Sequence, residues 1–153
     1  MRETVRLRKI LPEDVPAVLR LERACFSDPW SENGILSSLE SPLSWLLAAE
    51  EEGTIRGYLI AVTLFDEGEL LRIGTDPACR GRGIARAMLE EMFRAFPSVA
   101  VWRLDVRESN TSARRLYEAM CFENVIRRRD AYEKPREDGI MMMKRIPENG
   151  TGR

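Results

Sequence analysis

The stretch DPACRGRGIARAMLEEMF, Asp76 to Phe93, decides the fold, because it joins a β-prone run to a long helix through a turn of two glycines and three arginines. Upstream, GELLRIGT, Gly68 to Thr75, reads as a strand. Downstream, Ile84, Met88, Met92 and Phe96 recur at helical spacing until Pro97. A helix that begins at this turn points several unpaired N–H groups and the positive end of its dipole at one place. That is an anion pocket. Gly81 and Gly83 let a pyrophosphate approach the main chain, and Arg80, Arg82 and Arg86 add charge. A glycine-rich turn with its arginines in solvent has the same sequence, so these residues alone leave both readings open. The Walker lysine and the third glycine of a dinucleotide fingerprint are both missing, which removes the P-loop and Rossmann readings.

Working outward, alternation from Thr4 to Lys9 predicts a first strand, and PEDVPAVLRLERACF places Val15, Val18, Leu19, Ala24 and Phe26 on one face of a first helix. Ser31 caps a second helix that runs to about Leu39 and stops at Pro42. SWLLAAEEEGTIRGYLIAVTLF reads as two strands around a turn at Glu52 and Gly53. After the Asp76 helix come the β-prone VAVWRLDV, a helix capped by Asn110, and strands near Phe122 to Arg129 and Ile140 to Arg145. The charged run between them, Asp130 to Asp138, reads as a mobile flap. The tail from 147 to 153 reads as disordered. The order is β-α-α-β-β-β-α-β-α-β-β, an α/β or α+β sheet with helices on its faces.

Composition narrows the function. A chain of 153 residues, 44% hydrophobic, is sized for one domain, residues 1–146, with a real core. Charges nearly cancel at a net −1, so no global field argues for direct nucleic-acid or membrane binding. No apolar run reaches the roughly 20 residues of a membrane span, and the N-terminus is unlike a signal peptide. Cys25, Cys79 and Cys121 are odd in number and widely spaced, which suits a reducing cytoplasm and predicts neither a disulfide framework nor a metal site. The chain has no histidine. Ser-His-Asp and Cys-His nucleophile systems are therefore excluded, as are His-containing catalytic metal sites.

With this context, Arg80-x-x-Gly83-x-Ala85 after a strand ending in Asp76-Pro77 resembles the Q/R-x-x-G-x-G/A signature of the GNAT acyltransferases. FSDPWS, LDVRESNTSARRLYEAMCF, RRRDAY and EDGIMMM extend the resemblance over about residues 4 to 146, and together they look like the bacterial ribosomal-protein alanine N-acetyltransferases. The resemblance implies a mixed, mostly antiparallel seven-stranded sheet flanked by about four helices, with acetyl-CoA as cosubstrate. It also implies that the pantetheine arm pairs with the main chain of Ile73, Gly74 and Thr75, that the pyrophosphate lies on Gly81, Arg82, Gly83, Ile84, Ala85 and Arg86 beside Arg80, and that Asn110 touches the coenzyme. Independently, Gly74 within a strand pattern suggests a bulge or a close backbone approach.

Acetyl transfer to an amine needs a neutral amine, a polarised thioester and a proton for the departing thiolate. An α-amine, with a pKa near 8, needs only a modest base, whereas a lysine at about 10.4 needs more. The resemblance places the family's glutamate base at Asp105. Its carboxylate is drawn back by roughly one C–C bond, ~1.5 Å, which implies action through a water. Alternation also puts Asp105 on the strand face of Arg103 and Arg107, where it can simply pair with them. Tyr117 matches the family's general acid, and it also lies on a helical stripe with Ala113, Leu116 and Met120 as a core tyrosine would. Cys121 stands where the family has glycine, at a turn that asks for positive φ.

The resemblance further implies an acceptor that is the N-terminal segment of a protein beginning with alanine, a ribosomal protein of the small subunit. Trp30 and Tyr132 are then walls of its first-residue pocket, and Glu137 and Asp138 steer a basic acceptor. Two other functions fit the same fold: a GNAT enzyme acting on lysine side chains or a small-molecule amine, and a non-catalytic acetyl-CoA-binding regulator.

Overall fold

The computed structural model of the chain describes residues 5–147 as seven strands and four α-helices in the expected order. The elements are β1 Val5–Lys9, α1 Val15–Cys25, α2 Glu32–Glu40, β2 Ser44–Glu51, β3 Thr54–Leu64, β4 Glu67–Thr75, α3 Ile84–Ala95, β5 Val101–Arg107, α4 Thr111–Ala119, β6 Glu123–Glu133 and β7 Arg136–Arg145. The expected strand start at Thr4 and the tail beyond Pro147 lie outside the described residues.

The strands form one mixed sheet in the order β1-β2-β3-β4-β5-β7-β6. β4 and β5 run parallel over three registered pairs, Glu67 with Val101 to Glu69 with Arg103. The β1–β2, β2–β3, β5–β7 and β6–β7 ladders are antiparallel. This is the mixed, mostly antiparallel architecture that the family resemblance implied.

Two compact units are distinguishable. The first runs to Val62 and includes Leu71–Phe96. Its helices bury Val15, Val18 and Leu19 from α1, Ile35 from α2, and Ile84, Met88, Leu89 and Met92 from α3, whereas Ala24, expected on the same face of α1, is exposed. Ser31 caps α2 by accepting from the Gly34 N–H at 3.1 Å. Beyond the last turn of α3, Phe96 meets Trp45 edge-on, with ring centroids 5.3 Å apart.

The second unit comprises Thr63–Leu70 and the chain from Pro97. Trp102, Leu104 and Val106 alternate inward from β5 and are buried with Tyr117, Met120 and Phe122, and with Ile140 and Met142 of β7. Asn110 accepts from the Ala113 N–H at 3.3 Å and so caps α4, as expected. At the other end of that helix Cys121 takes φ 73°, so the turn keeps the left-handed conformation without its glycine.

One expectation is corrected here. Asp130 to Asp138 is no loop: β6 continues to Glu133 and β7 begins at Arg136, so only Lys134 and Pro135 turn the chain. The run lacks apolar alternation, and polar partners hold it instead. Arg107 donates to the carbonyls of Lys134 at 3.0 Å and Pro135 at 2.8 Å. Asp138 accepts from the Asp130 N–H at 2.8 Å, where φ is 53° and the ladder is irregular between Arg128 and Tyr132.

Candidate active site

The junction between β4 and α3 keeps its glycines in the conformation that an anion cradle uses. Gly81 and Gly83 sit at φ 81° and 82°, and a Cβ built on either meets nothing within 4 Å. Gly83 is the N-cap of α3 with no side-chain bond to the helix, whose first internal bond runs from the Ala87 N–H to the Gly83 carbonyl at 3.0 Å. The amides of Ile84, Ala85 and Arg86 therefore have no acceptor within the helix. Both glycines are exposed, so the open space and the unpaired donors fit a pyrophosphate.

The three arginines are anchored around this space. Arg82 bonds Glu51 of β2 at 2.6 Å, Arg86 pairs with Glu90 one turn along at 3.3 Å, and Arg80 donates to the Thr75 carbonyl at 3.3 Å and to the Cys25 thiol at 3.4 Å. Upstream, Asp76 caps the short turn Pro77–Cys79 through the Ala78 N–H at 3.0 Å, and it pairs with Arg56 at 3.3 Å. The loop is thus braced from both sides by residues of its own unit.

The expectation at Gly74 is refined. Its close neighbour is a side chain of the protein: a Cβ there would lie 2.7 Å from Cε1 of Tyr58, so glycine makes room for that ring. The Thr75 carbonyl also accepts from the Cys25 thiol, at 3.3 Å.

In the second unit, Asp105 projects from the exposed face of β5. Of the two arginines on its strand face, Arg103 bonds Glu67 at 3.3 Å and Arg107 bonds Glu137 at 3.2 Å. Asp105 faces Arg128 of β6, 3.5 Å away, with its side chain 44% exposed. Tyr117 is buried, its ring 5.8 Å from that of Phe122. Burial, followed by the influence of Tyr132, raises its hydroxyl above the ordinary value, so the phenol keeps its proton well past neutral pH.

Glu137 and Asp138 are held rather than free. Glu137 accepts from the Ser109 N–H at 2.6 Å and from Arg107, and these bonds lower its carboxyl below the usual range. Asp138 is lowered likewise, by the Asp130 N–H and then by Arg127 at 2.9 Å. These cations offset the charge expected to steer a basic acceptor.

Sequence reasoning missed Glu22 and Arg72, and it read Arg107 only as a neighbour of Asp105. Glu22 is 1% exposed on α1. Its carboxylate accepts from the Tyr58 hydroxyl, from Arg72 Nη2 and Nε, the latter at 2.9 Å, and from the Trp30 N–H at 2.8 Å. Arg72 lies 3.7 Å from the centroid of the Phe26 ring and 5.5 Å from that of Trp30. The one available signal was an acid inside the apolar stripe of α1, flanked by Leu21 and spaced from Val18.

Comparison with known proteins gives the same direction. The acetyltransferase (GNAT) family profile matches residues 15–122. The [Ribosomal protein bS18]-alanine N-acetyltransferase of Escherichia coli K12 is 34% identical over 134 residues, spanning 84% of this chain and 89% of that protein. The N-alpha-acetyltransferase RimI of Mycobacterium tuberculosis is 34% identical over 151 residues, 90% of this chain and 95% of the relative. The crystal structure of the Escherichia coli ribosomal-protein-S18-alanine N-acetyltransferase superposes with a TM-score of 0.88 at 29% identity, covering 97% of this chain and 98% of that one.

Proposed function

Since this chain belongs to the acetyltransferase (GNAT) family, we propose that it transfers an acetyl group from acetyl-CoA to the N-terminal α-amine of a protein that begins with alanine, a ribosomal protein of the small subunit. The observation that carries the coenzyme half is the uncapped start of α3, with Gly81 and Gly83 at positive φ facing open space. The acceptor half rests on two relatives at 34% identity, one named for alanine on bS18 and the other an N-alpha-acetyltransferase.

Acetyl-CoA supplies the acetyl thioester. Gly81 to Arg86 hold its pyrophosphate, with Arg80 adding charge, the main chain of Ile73 to Thr75 holds the pantetheine arm, and Asn110 contacts the coenzyme. Tyr117 keeps a proton at its hydroxyl for the departing sulfur. Asp105, exposed and acceptor-only when ionised, takes the amine proton through a water. An α-amine near pKa 8 is already partly neutral at physiological pH, so this arrangement suffices for it and falls short for lysine. Trp30 and Tyr132 form walls for the first residue, while Glu137 and Asp138 act by fixing the hairpin.

The test uses two peptides of one sequence, both carrying an internal lysine, one with free N-terminal alanine and one with a blocked N-terminus. Mass spectrometry places the acetyl group on the α-amine of the first and leaves the second unmodified. Acetylation of the blocked peptide at lysine would transfer the reading to a lysine acetyltransferase. Acetyl-CoA binding without turnover on any amine would make the chain a coenzyme-binding regulator.

A further inference from the structure

A carboxylate as deeply buried as that of Glu22 needs a reason, because desolvating an ion pair offsets most or all of its Coulomb gain. Core packing does not supply one, since a leucine would pack the α1 stripe equally well. What the carboxylate does is join three pieces of chain. It receives the Tyr58 hydroxyl from β3, the Arg72 guanidinium from β4 and the Trp30 main-chain N–H from the segment between α1 and α2. Arg72 itself reaches the same segment over the rings of Phe26 and Trp30 and, at 3.4 Å, on the Asp28 carbonyl. Tyr58, the third member, lies against Gly74. One carboxylate and one planar fork thus both reach the segment.

We propose that Glu22 and Arg72 are positioning residues for acceptor selection: their pair locks Phe26 to Trp30 onto β4 and so fixes Trp30 as a wall of the first-residue pocket. This rests on the acceptor reading above. Segments between helices are ordinarily the most mobile parts of a fold, and residues 26–31 have no regular structure of their own. A pocket that must reject a side chain larger than alanine requires a wall that does not yield. The fork geometry explains why the partner is arginine, for a lysine cannot hold the carboxylate and the Asp28 carbonyl together while lying flat on Phe26.

The variants are Glu22→Gln, which keeps the shape and loses the charge, and Arg72→Lys, which keeps the charge and loses the fork. In both, KM for the alanine peptide rises at least tenfold, kcat at saturation changes less than threefold, and the calorimetric affinity for acetyl-CoA stays within twofold. Discrimination between peptides starting with alanine and with leucine narrows. Hydrogen exchange at the amides of residues 26–31 speeds up at least tenfold, while α3 is unaffected. A fall in kcat and coenzyme affinity together, with KM unchanged, would reduce the pair to general stability and overturn the proposal. Unchanged exchange in 26–31 overturns it regardless of activity. A wild-type enzyme inactive on every N-terminal amine sinks the acceptor reading instead, and exchange then decides whether the clamp exists.

Discussion

Arg107 of β5 lays its guanidinium over the ring of Tyr132 in β6, 4.4 Å from the centroid, while the same group binds the carbonyls of Lys134 and Pro135. One side chain therefore sets both the ring proposed as an acceptor wall and the turn beyond it. Removing it takes away two hydrogen bonds to carbonyls and the cation over the ring. Arg107→Ala should lower stability by about 2 kcal/mol, the scale of hydrogen bonds to a charged group, as read from urea unfolding. Hydrogen exchange across residues 130–138 should rise at least tenfold. If exchange there stays at the wild-type level, the tip is held by its ladder alone.

The same hairpin carries an acid dependence whose sign follows from Glu137. Its folded carboxyl is lowered by the Ser109 N–H and by Arg107 from an ordinary 4.5. The stabilisation it gives is present above that ordinary value and is lost as pH falls through the folded one. Glu137→Gln should consequently flatten the loss of stability below about pH 4.5. Equal acid slopes for variant and wild type would mean that Glu137 binds protons alike in both states.

At the phosphate loop, Gly83→Val has two separable effects. Positive φ costs a side chain roughly 1–2 kcal/mol wherever it occurs, and a Cβ branch also fills the open space in front of α3. Gly53, in the β2–β3 turn, is the control, since it has φ 81° and nothing within 4 Å of an added Cβ. Both valine variants should lose similar stability, and only Gly83→Val should weaken acetyl-CoA binding at least tenfold, about 1.4 kcal/mol. Calorimetry that shows equal affinities for the two variants would move the pyrophosphate elsewhere.

What the sequence disclosed and what it hid divide along contact range. Ser31 and Asn110 were legible as caps because their partners lie three residues away, and α3 was legible because its stripe repeats within one element. Glu22 was invisible because periodicity assigns an acid to solvent, and the residue that neutralises it is 50 positions later. Asp130 to Asp138 looked like a loop for the same reason: its anchors, Arg107 and Ser109, belong to the preceding strand and the turn after it. Asp105 was legible as a candidate from the motif alone. Its partner was not, because Arg128 meets it only after β7 has come between the two strands.

The proton roles give the sharpest division between chemistry and packing. Tyr117→Phe keeps the ring beside Phe122 and removes only the hydroxyl, so the fold should persist while kcat falls roughly 10²-fold and coenzyme affinity holds. Burial holds the folded phenol above its ordinary value of 10.0. A raised value means that stability is complete below about pH 10 and declines as pH climbs towards the folded one. Tyr117→Phe should therefore soften the alkaline decline in the urea midpoint. Asp105→Asn behaves differently: its rate deficit should be largest below pH 8 and shrink above it, where the α-amine loses its proton unaided. The two pH–rate profiles, recorded on one alanine peptide, separate the roles. A Tyr117→Phe enzyme with wild-type turnover leaves the tyrosine as core packing, and an Asp105→Asn deficit that is the same at pH 7 and pH 9 removes the aspartate as base.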